Sequence, residues 1–453
     1  MIISVESGFR WLNVKKNWVG EILSEARDCC NGIFGLLRAH ESLISECIPL
    51  IASENVTSEA VKRALDSDFM HRYAEGWVGK RVYAGCRFID AVEAECIRMM
   101  KELFDAEFVD VRPISGVVAN LAVYTALTRP GDTMMSLSIP SGGHISTGKF
   151  ELGGAAGAVH GLNVEYLPLD YDEMTIDVDA AKKKICELAD PLRVPNCSLK
   201  LVLLGASVFL FPHPVKEIAE LVHSIGGSVC YDAAHVAGLI AGGRFQQPLK
   251  EGADVMSLST HKTLFGPQHG AVVSDGKFVD ELKRAVFPGL VSNHHLNAVA
   301  GLAVACAEMK EFGKAYAEQL VKNAKALGQE LWDRGFTVLA EHKGFTESHQ
   351  LVVDVTKIGD GGKVEEELEK ANILVNRNLL PWDIKEGRHF MNPGGIRIGV
   401  AEVTRLGMKE QEMGDNADFV ERAVLRKEDA KKLREEIKLF RKNYQRLHYC
   451  FEN

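Results

Sequence analysis

Two spacings of apolar residues alternate along residues 56–300. In IDAVEAECIRMMKELF, Ile89, Val92, Cys96, Met99 and Leu103 recur every three or four positions, which puts them on one face of a helix. GVVANLAVYTALT continues a helical pattern until Pro130-Gly131 stops it, and PVKEIAELVHSIGG is an amphipathic helix with a glycine stop. Between these lie short β-rich runs: EFVDVRPI (107–114), TMMSLSI (133–139), LKLVLLGAS (199–207), GSVCYDAA (227–234) and ADVMSLST (253–260). Strand, helix, strand at this spacing predicts an α/β fold with a mainly parallel central sheet covered by helices on both faces.

Beyond residue 300 the pattern changes. A long helical stretch covers 294–335, and FTVLAEH, HQLVVDVT, ILVNRN and GIRIG then read as short strands, with KVEEELEKAN as a helix among them. The tail EDAKKLREEIKLFRKNYQRL reads as a charged, solvated helix. The expected organisation is a helical arm over 1–55, a large α/β domain over 56–300 and a smaller α+β domain over 301–453. At 453 residues the chain has the length for two or three domains.

Composition narrows the function. Net charge is −9, so no broad basic field serves nucleic acid. The ten cysteines show no C-x-x-C or Cys/His zinc spacing, so reduced thiols are expected, with no metal and no redox role for Cys29 and Cys30. MIISVESGFRWLNVKKNW lacks the apolar centre of a signal peptide, and no run reaches the roughly 18 apolar residues of a membrane span. A soluble, cytoplasmic protein without membrane contact is expected.

The candidate chemistry sits at strand ends, where open parallel sheets collect ligands. In DVMSLSTHKTLFGPQHG (254–270), an apolar run gives way to Ser259, Thr260, His261, Lys262 and Thr263. A lysine in such a place is usually solvated, so it needs a reason. GSVCY runs into Asp232 and His235, 30 residues before Lys262 (262 − 232), close enough in sequence for adjacent parallel strands to carry both to one crevice. PISGVVAN (113–120) places Ser115 and Gly116 at a helix start, which suits an anion, although such a pair is often only a cap. SGGHISTG (141–148) puts His144 among small residues. An amine, an acid, a phosphate nest and a flat ring together fit pyridoxal phosphate, which needs a Schiff-base lysine and an acid for its ring nitrogen.

LIASEN (50–55), RYAEGWVGKRVYAGC (72–86), YDAAHVAGL (231–239), STHKT (259–263), VFPG (286–289) and GIRIG (395–399) are collinear motifs. Together they resemble the serine hydroxymethyltransferase family, in its archaeal-like form, over roughly residues 45–410. The resemblance implies a fold type I pyridoxal-phosphate transferase of aspartate-aminotransferase-like architecture, a homodimer with shared active sites. It also implies interconversion of serine and glycine with one carbon passing to or from a reduced pterin cosubstrate.

Carried over by motif, Lys262 holds the cofactor aldehyde with His261 beside it, Asp232 keeps the ring nitrogen protonated, His144 stacks on the ring and His235 meets the ring-oxygen side. Ser115, Gly116 and Ser207 contact the phosphate, joined by Tyr73 and Gly289 from the neighbouring subunit. Arg397 holds the substrate carboxylate, with Ser53 on the same side. Glu75 moves the proton at the serine hydroxyl with Tyr83 beside it, and Asn378, Gly143 and Ile145 meet the pterin. Structural roles compete: Tyr73 and Tyr83 as core or interface aromatics, Glu75 as an ion-pair partner for Lys80 or Arg81.

Departures from the family pattern are Val82, Val117, Val118, Gln268, Leu290 and the run Ser257-Leu258-Ser259-Thr260. They leave the amino-acid half of the site intact and alter the pterin half, so a methanopterin-type carrier stands beside folate. Rival expectations are a threonine aldolase that ignores pterin and a non-catalytic scaffold of the same fold.

Overall fold

The computed structural model describes residues 26–190, 192 and 198–451. The stretch read for leader character lies outside the described residues. A seven-stranded sheet is built from β1 (Phe108–Asp110), β2 (Thr133–Ser136), β3 (Asn163–Tyr166), β4 (Leu199–Gly205), β5 (Ser228–Asp232), β6 (Val255–Ser259) and β7 (Gly270–Ser274), in the order β1-β7-β6-β5-β4-β2-β3. Only β7 runs opposite to its neighbours, so the sheet is mainly parallel with one reversed strand. Strands β3 and β7 were not foreseen. GAVVS of β7 follows the Gly266-Pro267 turn and pairs straight back onto β6, a return too short for a crossover helix.

The expected helices are present: α1 (Ala26–Glu46), α2 (Arg87–Phe104), α3 (Gly116–Leu127), α4 (Val215–Ser224), α5 (Leu296–Asp333), α6 (Gly361–Lys370) and α8 (Ala430–Arg441), joined by α7 (Glu410–Val424), which was not foreseen. On α2 the buried face is Ile89, Glu93, Cys96, Met99, Met100 and Phe104; Val92 stands at its edge. Glu93 is tolerated there because it pairs with Arg81 and His294. The charged helix α8 is not solvated all round, since Leu433, Ile437 and Arg441 are buried.

A smaller antiparallel sheet holds β8 (Thr337–Val338), β9 (Gln350–Asp354), β10 (Asn376–Asn378) and β11 (Gly395–Gly399), in the order β8-β9-β11-β10. Helix α5 runs through position 300 and packs along α2 and α7. The LIASEN segment belongs beside the smaller sheet: Ile48 and Pro49 pair in parallel with Ile373 and Leu374, and Leu50 O accepts from Gly399 N at 2.9 Å. A Cβ at Gly399 would lie 2.3 Å from the Ala52 Cα, so glycine there is what lets the two backbones pass and sets Ser53 in place.

Candidate active site

The carboxyl ends of β4, β5 and β6 converge on one cavity of about 300 Å3, at the lower end of the range for small-molecule sites, roughly 300–1,000 Å3. Asp232 ends β5 opposite Ser257 of β6, and Lys262 lies three residues beyond the end of β6. Both line the cavity, together with Ser53, Ser115, Gly116, His144, Ser207, His235 and His261. Adjacent parallel strands therefore do carry the acid and the amine to one crevice.

The Asp232 carboxylate is buried and satisfied without a cation. Its Oδ2 accepts from Asn120 Nδ2 at 2.9 Å and its Oδ1 from Ala234 N at 3.0 Å. Gly205, at φ +117°, lies against the Asp232 main chain; a Cβ there would meet the Asp232 carbonyl oxygen at 2.4 Å.

Lys262 is buried and makes no ion pair among the described residues. Burial pushes its amine down to about 8; nearby Asp232 opposes the shift and Arg397 adds to it. An amine in this range is neutral in useful amount near neutral pH, which a surface lysine is not. Arg397, on β11, is only 8 % exposed and makes no ion pair among the described residues. Its Nη1 donates to the Ser207 carbonyl at 2.6 Å and its Nε to Asn376 Oδ1 at 3.1 Å. Burial lowers even this guanidinium to about 10. A buried, hydrogen-bonded guanidinium without an acid suits an incoming carboxylate.

The histidines are held neutral. His144 Nδ1 accepts from Ser146 N at 3.1 Å, which leaves the ring proton on Nε2. His235 Nδ1 accepts from Gln350 Nε2 at 2.7 Å, since Gln350 Oε1 is taken by Phe209 N. Burial, then the charges of Lys262 and Arg397, hold His235 well below the usual histidine range. His349 stacks beside His235 at 5.7 Å and donates Nε2–H to the Ala52 carbonyl at 3.0 Å. His261 lines the cavity with its buried Nδ1 unpartnered.

These residues fit pyridoxal phosphate on structural grounds: an amine of lowered basicity and a buried acid share one cavity. Ser115 caps α3, whose first N–H groups lack intrahelical partners. A Cβ at Gly116 would come within 2.3 Å of Ser259 Oγ, so the close approach of backbone to cavity depends on glycine.

Eight residues expected at the site do not line this cavity: Tyr73, Glu75, Tyr83, Gly289, Gly143, Ile145, Asn378 and Arg397, the last reaching it through its hydrogen bond to the carbonyl of the lining residue Ser207. Tyr73 and Tyr83 are 51 % and 44 % exposed with rings 5.1 Å apart, Gly289 is exposed, and Glu75 is half-buried. Among the described residues Glu75 forms no ion pair with either Lys80 or Arg81, and Arg81 is taken by Asp90 and Glu93. Asn293 fixes this loop by accepting from Ala74 N and donating to the Arg72 carbonyl, both at 3.0 Å. Asn378 also lies outside the lining, its amide donating to the Leu379 carbonyl at 2.7 Å. Gly143 and Ile145 flank His144; a Cβ at Gly143 would meet the Leu137 carbonyl at 2.1 Å, and Ile145 is exposed. Of the departures from the family pattern, Val117 lines the cavity, while Val82 is 75 % exposed.

Sequence reasoning passed over Asn120, Gln350 and Asn376, which orient Asp232, His235 and Arg397. A signal existed for Asn120, a lone amide in the apolar helix GVVANLAVYTAL. None existed for the other two: Gln350 lies 115 residues from His235, and Asn376 meets Arg397 only through the pairing of their strands.

The sequence model of the family described as "Serine hydroxymethyltransferase" matches residues 28–420. The chain belongs to the serine hydroxymethyltransferase family. Curated relatives named "Serine hydroxymethyltransferase" include one from Nitrosopumilus maritimus (strain SCM1), 57 % identical over 430 residues, with 95 % of this chain and 97 % of the relative covered. Another, from Methanocaldococcus jannaschii, is 51 % identical over 420 residues, covering 92 % and 94 %. A solved structure, "Crystal structure of L-threonine transaldolase from Pseudomonas fluorescens in internal aldimine state", aligns with a TM-score of 0.82 and 28 % identity over 98 % of this chain and 96 % of that one. The resemblance drawn from the motifs is thus borne out, including its archaeal character. The chain is a fold type I, pyridoxal-phosphate-dependent serine hydroxymethyltransferase, a one-carbon transferase of serine and glycine. No helix among the described residues is long and apolar enough to cross a membrane.

Proposed function

We propose that this serine hydroxymethyltransferase passes the hydroxymethyl carbon of serine to a reduced pterin, of tetrahydrofolate or tetrahydromethanopterin type, as a cytoplasmic homodimer with shared active sites. The observation that carries the reading is the pairing of a buried Lys262 amine with a buried Asp232 carboxylate in one cavity, whose lining residue Ser207 accepts from the buried Arg397. Pyridoxal phosphate, when bound, supplies an electron sink for the charge left at the amino-acid α-carbon as the Cα–Cβ bond breaks.

The chain's own residues do the rest. Lys262 holds the cofactor through its amine with His261 alongside, and Asp232, braced by Asn120, keeps a proton on the ring nitrogen. His144 presents a flat neutral face, and His235, fixed by Gln350, offers Nε2–H to the ring-oxygen side. Ser115, Gly116 and Ser207 bind the phosphate. Arg397 grips the substrate carboxylate with Ser53 nearby, orienting the bond to be cleaved. Glu75 handles the proton at the serine hydroxyl with Tyr83 beside it.

Glu75, Tyr83, Tyr73 and Gly289 lie off the cavity of their own chain, which supports their delivery across a dimer interface. Gly143, Ile145 and Asn378 meet the pterin. The test is serine cleavage measured without pterin and with each pterin in turn. Strong acceleration by one pterin is expected; cleavage indifferent to both would favour an aldolase. Lys262→Ala abolishes turnover and the visible absorption of the loaded protein; retention of both would overturn the reading.

A further inference from the structure

Lys262 is gripped from behind, through its main chain. Its carbonyl accepts from Phe265 N at 3.0 Å and from Asn55 Nδ2 at 2.8 Å. Chemistry fixes the orientation of that amide: a carbonyl only accepts, so the NH2 faces Lys262, and Oδ1 accepts from Val56 N at 2.9 Å. The same NH2 reaches Tyr316 Oη at 3.0 Å. Asn55 itself does not line the cavity.

The turn that Asn55 holds is one the chain does not relax into. Phe265 sits at φ +48°, in the left-handed region that bulky side chains avoid, and such a conformation persists only where its surroundings enforce it. Here they do. The Phe265 ring is fully buried, meets Tyr316 edge-on at 5.2 Å, and has the Arg405 guanidinium 4.0 Å from its centroid. Arg405 is fully buried and donates Nη1 to the Tyr449 carbonyl at 2.6 Å. Glu308 pairs with it at 3.9 Å from Nη2, beyond hydrogen-bond range, so the ring face, the Tyr449 carbonyl and this buried charge together hold the cation.

We propose that Asn55 is a positioning residue for Lys262: oriented by Tyr316, it locks the LIASEN segment to the lysine turn and fixes where the ε-amine reaches. The proposal rests on Lys262 being the cofactor lysine. It assigns Asn55 no contact with substrate or cofactor, so its removal acts on turnover rather than on serine binding.

The experiment compares the loaded parent protein with Asn55→Ala, Tyr316→Phe and the double variant. Borohydride reduction followed by peptide mass mapping locates the attached cofactor in each. Expected are trapping at Lys262 throughout and a kcat for serine cleavage about tenfold or more lower in Asn55→Ala, with KM within about twofold, as for a misplaced reacting group. Tyr316→Phe is milder alone and adds nothing to Asn55→Ala, because it acts through the amide. An Asn55→Ala protein trapped at Lys262 with undiminished kcat would overturn the clamp and leave the cofactor assignment standing. Additive losses in the double variant would break the link through Tyr316. Trapping of the parent at another lysine would remove both proposals.

Discussion

Asn120 Nδ2 donates to Asp232 Oδ2 at 2.9 Å while Asn120 Oδ1 accepts from Ser257 Oγ at 2.5 Å. The amide thereby ties helix α3 to the end of β5 and the middle of β6 and fixes a carboxylate that lines the cavity. Asn120→Ala leaves that carboxylate with the Ala234 N–H alone. Cofactor affinity is expected to fall about tenfold, the worth of one charged hydrogen bond. Equilibrium titration of cofactor-free protein with pyridoxal phosphate measures it; an unchanged Kd would show that Asp232 needs no brace.

The Lys262 amine titrates at about 8, lowered by burial and by Arg397 and raised by Asp232. Below that pH the amine is protonated and unreactive; above it, neutral. Labelling of Lys262 in the cofactor-free protein by a small amine-selective reagent therefore rises with pH through a midpoint near 8. Asp232→Asn moves the midpoint down and Arg397→Met moves it up, since the two charges act with opposite sign. Mass spectrometry of the labelled peptide reads both shifts, and a midpoint near that of free lysine would contradict the buried placement.

Arg397 is fixed by Ser207 and Asn376 so that its remaining N–H donors are pre-aimed. Arg397→Lys keeps the charge and loses the fork, and KM for serine is expected to rise about 10–100-fold. Steady-state kinetics with cofactor in excess decides it. If kcat alone changed, the carboxylate would be bound elsewhere.

A methyl group at position 116 collides with Ser259 Oγ at 2.3 Å. Gly116→Ala is expected to weaken cofactor binding by displacing the start of α3, and Ser259→Gly in the same chain to restore it by making room. Failure of the second change to rescue the first would place the cost in the site itself rather than in that clash.

His213 is buried, accepts from Gly205 N at 3.1 Å and stacks on Phe209 at 4.3 Å, and burial holds it at about 3. The unfolded chain takes up this proton near pH 6.5 while the folded chain does not. Stability from this group is therefore present above about pH 6.5 and lost progressively as pH falls towards 3, by up to about 1.4 kcal/mol per pH unit. Denaturant midpoints measured at pH 7 and pH 5 are expected to separate less in His213→Asn than in the parent.

The sequence by itself determined the pieces that are local. Apolar spacing marked most of the long helices and most strands of the large sheet, because a buried face must recur with the period of its element. The order of Asp232 and Lys262 at successive strand ends made their meeting legible, and the pairing of Asp232 with Ser257 realises it.

Tertiary structure alone decided the partners. Gln350 reaches His235 across 115 residues, Asn376 reaches Arg397 from a neighbouring strand, and Asn55 reaches the Lys262 carbonyl across 207. β7 declared itself only by pairing back onto β6. A hydrogen bond leaves no periodic trace in a chain: any amide can make it, and only the packing of distant segments says which one does. The same reason explains Tyr73, Glu75, Tyr83 and Gly289, whose motif is plain in the sequence and whose position lies off the cavity of their own chain.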